Sequence, residues 1–483
     1  MNRADAWPTL DTLLHPRSIA VVGASDNPNK VGGRPLRYLL EQGYAGRVYP
    51  INPRQDRVQG IAAHSTLDHL PEVPDVAILC VGAEQAEEQL AACARLGIRN
   101  ALLFASGYAE VGAEGLARQQ RLIDICHAGG VRLLGPNSIG IASFDSGAVL
   151  SFASIYTDHA PQDGPVAIVS QSGAFGVSAY ALLRASGIGV RCVAATGNEA
   201  DLDSADFVAA LARKPGVRLL LLYLENVKDA ERMRAALAVA RDAGVPVLAV
   251  RAARSQDGKR SAHWHTGSCG AADAALDMLF DASGCRTVAH LDEMVDSVPL
   301  YLDASLSGQG PAHSAPRIAV VSNSGATCVL AADVAHRLGL PLAQLEPHTS
   351  GLLDRLLPSF SRNRNPIDLT AMLLADPSLL GEVMASVMDD AGVDAAVLGL
   401  LAIGGPSYDV ARFAREARAA AVRSGRPLAV FSPHPQVRDA FAQAGIAVFR
   451  NESEALAAIQ SFIAHCGLLQ PPAPSPSPEF QHA

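Results

Sequence analysis

The stretch RSAHWHTGSCGAAD, residues 260–273, gathers the side chains of this chain most able to do chemistry. It holds His263, Trp264, His265, Thr266, Gly267, Ser268 and Cys269. An imidazole in such a place can ligate a metal, serve as general base, serve as nucleophile, or fill space before a helix. His263 and His265 stand two residues apart, and a metal would need further ligands that the neighbouring sequence does not offer. No metal site is therefore expected. Cys269 lacks a paired base and reads as a small residue of the following helix.

Two turns share the pattern S-x-S-G-A. One is Ser170, Gln171, Ser172, Gly173; the other is Ser322, Asn323, Ser324, Gly325. Each follows an apolar run and opens a helical pattern. Both hydroxyls of each turn can face outward, and the glycine permits tight entry into the helix. Unpaired N–H groups and the helix dipole favour anions there. The turns read as two phosphate-receiving helix ends or as N-caps alone. A third turn, GASDNPNKVGG, follows the first apolar run. Gly23 lets the backbone approach a ligand, and Ser25 can donate or accept. The nicotinamide fingerprint G-x-G-x-x-G, with an acidic residue ending the second strand, is absent. That strand ends in Asn52, Pro53 and Arg54, where the guanidinium could stack on an adenine or meet a phosphate. An empty shell of the same fold is the alternative.

These turns need strands and helices to place them. Three segments open alike: SIAVVGASDNPNKVGGRPLRYLL (18–40), GPVAIVSQSGAFGVSAYALLRAS (164–186) and PRIAVVSNSGATCVLAADVAHRL (316–338). Each begins with a continuous apolar run, as in parallel strands covered on both faces. Further runs follow, with helical patterns between them, which predicts doubly wound parallel sheets. The Gly/Ser/Pro-bearing stretches 143–164 and 302–316 read as separators. The expectation is an α/β protein with a Rossmann-like domain over 1–150, a flavodoxin-like domain over 160–303, and a second one over 315–467. A Pro/Ser-rich, disordered tail is expected over 468–483.

The 483 residues are 49% hydrophobic and 18% charged, with a formal net charge of −9. That composition excludes global disorder and lacks the basic footprint of a nucleic-acid binder. The N-terminus has no apolar signal core, and no apolar run reaches membrane-spanning length. Eight scattered cysteines without C-x-x-C pairing point to reduced thiols and a cytoplasmic protein. No P-loop pattern is present.

Taken together, the motifs resemble the α-subunit portion of NDP-forming (ADP-forming) acyl-CoA synthetases, relatives of succinyl-CoA synthetase. The carriers are HPRSIAVVGAS, VYPINP, SGYAEVGAEG and LLGPNSIG, then GPVAIVSQSGAFG, ATGNEADLD, LLLYLEN and HWHTGS, then VVSNSGAT and NPIDLT. They stand in family order over residues 8–465. The resemblance implies a CoA-binding Rossmann-like domain followed by two flavodoxin-like domains. It implies ligation of a small carboxylic acid to coenzyme A, with ATP consumed, through an acyl phosphate and a phosphohistidine. His265 matches the family histidine, and Glu225 matches the glutamate that orients it. Coenzyme A would meet Gly23, Ala24, Ser25, Asn52, Pro53 and Arg54 at its nucleotide end. Ser106, Gly107 and Tyr108 lie beyond, and Gly135, Pro136, Asn137 and Ser138 near the thiol. ATP, ADP and Mg would sit on a separate ATP-grasp β subunit, about one further domain in size, in an αβ or α₂β₂ assembly. Trp264 stands where the family usually has serine, Gly82 where Val-Pro is usual, and Ala326 where a second glycine is common. The alternative these departures leave open is a CoA- or acyl-CoA-binding regulator of the same fold with weakened catalysis.

Overall fold

The structure, a computed structural model, describes residues 10–258, 260–261, 273–306, 315–358, 364–403 and 407–469. It divides into two compact units, Met1–Leu302 and Asp303–Ala483. The first unit carries two sheets. In the first sheet, β1 (Ser18–Val22) and β2 (Arg47–Ile51) are followed by a short ribbon, β3 (Arg57–Val58) with β4 (Ile61–Ala62). Then come β5 (Val76–Leu79), β6 (Asn100–Leu103) and β7 (Arg132–Leu134). The order is β2-β1-β5-β6-β7, all parallel. Every residue of β1, β5 and β6 is buried, which is why these strands read as apolar runs after the first residues Ser18 and Asn100 of β1 and β6. The chain leaves β1 toward β2 on one side and returns to β5 on the other. This reversal puts the loops after β1 and β5 on the two sides of a crevice at the carboxyl ends of the strands.

The second sheet begins earlier than the sequence suggests. It contains β8 (Gly140–Ser143), β9 (Ala148–Ser151), β10 (Val166–Ser170), β11 (Val190–Ala195), β12 (Leu219–Leu224), β13 (Val247–Arg251) and β14 (Cys285–Val288). The order is β14-β13-β12-β10-β11-β8-β9. β10 to β14 run parallel, while β8 is antiparallel to both β11 and β9. The sheet is thus mixed, not parallel throughout. The stretch from 143, expected as a separator, opens with a hairpin: Asp145, Ser146 and Gly147 (φ +67°) turn β8 into the fully buried β9. A hairpin turn and a linker use the same residue types, so composition cannot tell them apart. The segment after β9 is tied back to the first layer. Tyr38 donates its hydroxyl to the Ala153 carbonyl at 2.7 Å, and Arg34 reaches the Phe152 carbonyl at 3.0 Å.

One continuous core joins the two sheets of this unit, with Val21, Ile78 and Leu102 in the same cluster as Val169, Leu222 and Phe207. Phe207 lies on the helix Ser204–Ala212, which is buried on nearly every side. Its phenyl ring contributes on the order of 2–3 kcal/mol by burial.

The second unit has its own core and one parallel sheet of β15 (Ile318–Ser322), β16 (Ile367–Asp368), β17 (Ala395–Gly399), β18 (Leu428–Phe431) and β19 (Ala447–Phe449). Its order, β16-β15-β17-β18-β19, repeats the pattern of a strand pair flanking a reversal. The helix Glu452–Leu469 closes the unit, and residues 470–483 of the expected tail lie outside the described residues. Among the described residues no helix is long and apolar enough to cross a membrane.

Candidate functional site

The turn after β1 is preformed. Gly23 takes φ +78°, and a Cβ there would stand 2.6 Å from the Cys80 carbonyl oxygen. Asn52 pins the turn: its Nδ2 donates to the Ala24 carbonyl at 2.9 Å, and its Oδ1 accepts the Arg54 N–H at 2.8 Å. Gln59 donates from Nε2 to the carbonyls of Ser25 and Gly33, both at 2.9 Å. Pro53 and Arg54 stand exposed at the rim. Residues 23–25 and 52–54 therefore share one edge of the crevice, since β1 and β2 are neighbours.

Ser106, Gly107 and Tyr108 follow β6, and Gly135 to Ser138 follow β7, on the same carboxyl edge. Glu110 accepts the N–H groups of Gly107 (2.6 Å) and Tyr108 (3.2 Å) on one oxygen. Burial pushes the Glu110 carboxyl up, but hydrogen bonds from Asn198 and these N–H groups outweigh it and hold it below its usual value. Asn137 donates its N–H to the Ala105 carbonyl at 2.8 Å, joining the two turns. Ser138 is buried, donating to the Ala195 carbonyl at 2.5 Å and accepting the Gly140 N–H at 2.9 Å. Its hydroxyl braces β8 against β11.

The S-x-S-G turns sit as expected between a strand and a helix, and in each the first serine is buried while the second caps the helix. Ser170 is buried and donates to the Ser172 carbonyl at 2.6 Å. Ser172 is the N-cap of the helix Gly173–Ala185, accepting the Phe175 N–H at 3.3 Å. Gln171 commits its whole amide. Nε2 donates to Glu199 Oε2 (3.0 Å) and the Asn226 carbonyl (2.8 Å); Oε1 accepts the N–H groups of Glu225 (2.7 Å) and Asn226 (3.0 Å). In the second unit Ser322 is buried, and its Oγ accepts the Ser324 N–H at 3.2 Å. Ser324 caps the helix Gly325–Arg337 through the Thr327 N–H at 3.4 Å. Asn323 accepts the Leu401 N–H at 2.8 Å and donates to the Leu401 carbonyl.

Glu225 stands half-buried at the end of β12. Tyr223 donates its hydroxyl to Glu225 Oε1 at 3.2 Å, and its ring stacks on Phe175 with centroids 4.1 Å apart. Burial first, and the Glu225 charge second, push the Tyr223 phenol up, so it stays a neutral donor. His265 and its neighbours from Ala262 to Ala272, including His263, Trp264 and Cys269, lie outside the described residues. The strand that leads into them is described. β13 runs beside β12 with Leu224 opposite Arg251, and the next residue, Ala252, donates its N–H to the Leu224 carbonyl at 2.9 Å. On the far side, Asp277 in the helix Asp273–Ala282 pairs with Arg251 and, at 2.6 Å, with Arg254. The chain thus leaves β13 at Ala252, next to Glu225, and Asp277 ties the described helix Asp273–Ala282 to Arg251 and Arg254.

Sequence reasoning gives no role to the loop Thr196–Asp203, between β11 and the helix Ser204–Ala212, although it lies in the motif ATGNEADLD. Asn198 and Glu199 are both buried there. Loop position suggests surface; only the meeting of segments from both sheets buries them. Next to it, Arg132, Lys228 and Arg232 face Asp203, Asp206 and Glu231 around a cavity of about 550 Å³. Burial, then the charges of Asp206 and Glu199, push the Asp203 carboxyl up to about 7 against the pull of Arg232. Among the described residues no group of three or more His, Cys, Asp or Glu could hold a metal. The seven described cysteines are free, and burial raises each thiol.

Comparison with known proteins agrees with this geometry. A family model described as a CoA binding domain matches residues 17–143, and one described as a succinyl-CoA ligase like flavodoxin domain matches residues 163–301. The alpha subunit of Acetate--CoA ligase [ADP-forming] II from Pyrococcus furiosus is 33% identical over 383 residues, covering 77% of this chain and 80% of that one. The alpha subunit of isoenzyme I from the same organism is 30% identical, covering 75% and 77%. Acetate--CoA ligase [ADP-forming] I from Archaeoglobus fulgidus is 32% identical, and the match covers 50% of its length. Among solved structures, the Ca. Korarchaeum cryptofilum dinucleotide forming acetyl-coenzyme A synthetase 1, in complex with phosphate and ADP, superposes with a TM-score of 0.82 at 26% identity, covering 95% of this chain and 97% of that one. This chain belongs to the ADP-forming acid–CoA ligase family, whose members include separate alpha subunits.

Proposed function

We propose that this chain is the alpha-subunit component of an ADP-forming acid–CoA ligase and carries the phosphoryl group on His265. The observation that carries the reading is the position of β13 beside β12: the chain leaves β13 at Ala252, next to Glu225, before it reaches His265 in sequence. Glu225 then accepts the N–H of one imidazole nitrogen while the other bonds to phosphorus. A carboxylate in that place fixes the tautomer and stabilises the cationic ring that forms as phosphorus is gained. The free N–H groups at the start of the helix Gly173–Ala185 lie on the same edge and supply donors for the phosphoryl oxygens.

The imidazole displaces ADP from the terminal phosphorus of ATP, and the N–P bond replaces the P–O bond. A carboxylate oxygen of the acid then displaces the imidazole, giving acyl phosphate. The thiol sulfur of CoA attacks the acyl carbon, phosphate leaves, and the thiol proton goes with it to water or phosphate. Coenzyme A lies across the carboxyl edge of the first sheet. Residues 23–25 and 52–54 hold its nucleotide end, and 106–108 with 135–137 lead its thiol toward β12. ATP, ADP and Mg belong to an ATP-grasp β subunit in a hetero-oligomer, and the substrate is a small carboxylic acid. Buried free thiols fit a reducing, cytoplasmic setting.

Two measurements test this. Calorimetry of the full chain with CoA should give saturable binding; none at millimolar CoA would contradict the first-sheet assignment. Mixing the chain with an ATP-grasp partner and γ-labelled ATP should place an acid-labile, base-stable label on the wild type and none on His265→Ala. Label that persists in the variant would overturn the assignment of His265.

A further inference from the structure

We propose that Asn198 and Glu199, adjacent on one turn, are positioning residues that hold the CoA-facing turns and the Glu225 strand end in a single register. Asn198 faces the first sheet. Its Nδ2 donates to Glu110 Oε2 at 2.5 Å and Gln119 Oε1 at 3.1 Å, and its Oδ1 accepts from Asn137 Nδ2 at 3.2 Å. Its N–H donates to the Pro136 carbonyl at 3.0 Å. Glu110 in turn holds the N–H groups of Gly107 and Tyr108. One amide therefore touches the turn at Asn137 directly and the turn at Gly107 and Tyr108 through Glu110.

Glu199 faces the second sheet. Its Oε1 accepts from Thr196 Oγ1 (2.8 Å), from the Ser204 N–H (2.9 Å) and from the Ser204 hydroxyl. Its Oε2 accepts from Gln171 Nε2, and Gln171 Oε1 holds the backbone N–H groups of Glu225 and Asn226. The carboxylate thus decides which way the Gln171 amide points. With an acceptor at Glu199, Gln171 must present its own acceptor to the β12 end. Lys228 closes the turn from outside, donating to the carbonyls of Asn198 (2.8 Å) and Glu199 (2.7 Å). Glu199 is also held at φ +56°, which non-glycine residues rarely adopt, and such conformations persist where the surroundings over-determine them. Gly197 beside it has no room for a side chain, since a Cβ would stand 2.5 Å from the carbonyl oxygens of Pro136 and Asn137.

This inference rests on the roles given above to Glu225 and the CoA-facing turns, and its test separates the two. Glu199→Gln puts a donor where an acceptor is required and turns the Gln171 amide over. Amide exchange of Glu225 and Asn226 should accelerate, and phosphorus label taken up from acetyl phosphate should fall by about tenfold or more, because bonds to a charged acceptor are the strong kind. CoA affinity should stay within about twofold. Asn198→Ala should show the opposite split, weakening CoA by about tenfold with a smaller loss of label. The double variant Glu199→Gln/Gln171→Glu, which restores an acceptor facing the β12 end, should recover part of the exchange protection. Unchanged exchange at Glu225 and Asn226 in Glu199→Gln would overturn the proposal. So would losses of label and CoA affinity that fall together with the melting temperature in both single variants, since that is the pattern of a general structural role. If the wild-type chain takes no label while the exchange pattern appears as described, the phosphohistidine reading fails and the positioning role stands.

Discussion

The turns Ser170–Gly173 and Ser322–Gly325 are built alike and set in different surroundings. In both, the first serine is buried at the strand end, the middle amide braces a neighbouring strand, and the second serine caps the helix. At the first glycine a Cβ would stand 2.7 Å from the side chain of Ile139, whereas at the second it would stand 2.9 Å from the Asp368 carboxylate. An apolar neighbour leaves the positive end of a helix dipole uncompensated; a carboxylate supplies the negative charge itself. Gln171 is one methylene longer than Asn323, and it reaches Glu199 as well as the adjoining strand end. Asn323 exchanges its bonds with Leu401. The motif fixes how the helix starts, and its neighbours decide whether that start welcomes a phosphoryl group. On this ground we propose the first turn as the receptive one, whereas phosphate at the second would face Asp368.

The largest contrast should come from the braces. Gln171→Ala removes four hydrogen bonds, one to a carboxylate, and should cost about 4 kcal/mol; Asn323→Ala should cost about 1–2 kcal/mol. Chemical denaturation reads both, and equal losses would make the two turns equivalent after all.

Next is the charge cluster beside the first turn. The folded Asp203 carboxyl, pushed up to about 7, lies above its unfolded value, so the folded state holds the extra proton between about pH 4 and 7. Stability should therefore fall as pH rises through that window. Asp203→Asn keeps the cap on the helix Ser204–Ala212 and should flatten the slope of melting temperature against pH. A slope unchanged by the substitution would contradict the assignment.

Smaller effects belong to the helix starts themselves. Ser172→Ala and Ser324→Ala should each cost about 1 kcal/mol by loss of a cap. Only Ser172→Ala should also slow phosphoryl labelling. Asp368→Asn should destabilise by about 0.5–1 kcal/mol at pH 7, by removing charge from the start of the helix Gly325–Arg337. It should also raise the affinity of the chain for inorganic phosphate measured by calorimetry; a fall would contradict the reading of the second turn.

The sheets are readable from sequence because strands covered on both faces must be apolar, as β1, β10 and β15 are apart from one serine at an end of each. β9 is not readable: its hairpin turn at Asp145–Gly147 has the composition of a linker, and pairing partners are set by the fold. The helix starts at Ser172 and Ser324 follow from local residue types alone. The pairing of Gly325 with Asp368 does not, since it joins segments brought together only by β15 and β16. Glu225 emerges through family resemblance, and nothing local marks it. Asn198 and Glu199 escape sequence reasoning because polar residues in a strand-to-helix loop read as surface, and segments from two sheets must meet to bury them.

The catalytic reading turns on phosphorus being carried on one imidazole beside Glu225. Mapping the label after exposure of the chain to labelled acetyl phosphate tests it head-on. We expect a single phosphorylated residue, His265, with the yield lowered by about tenfold or more in Glu225→Gln. Label on another residue, or a yield indifferent to Glu225→Gln, would contradict it.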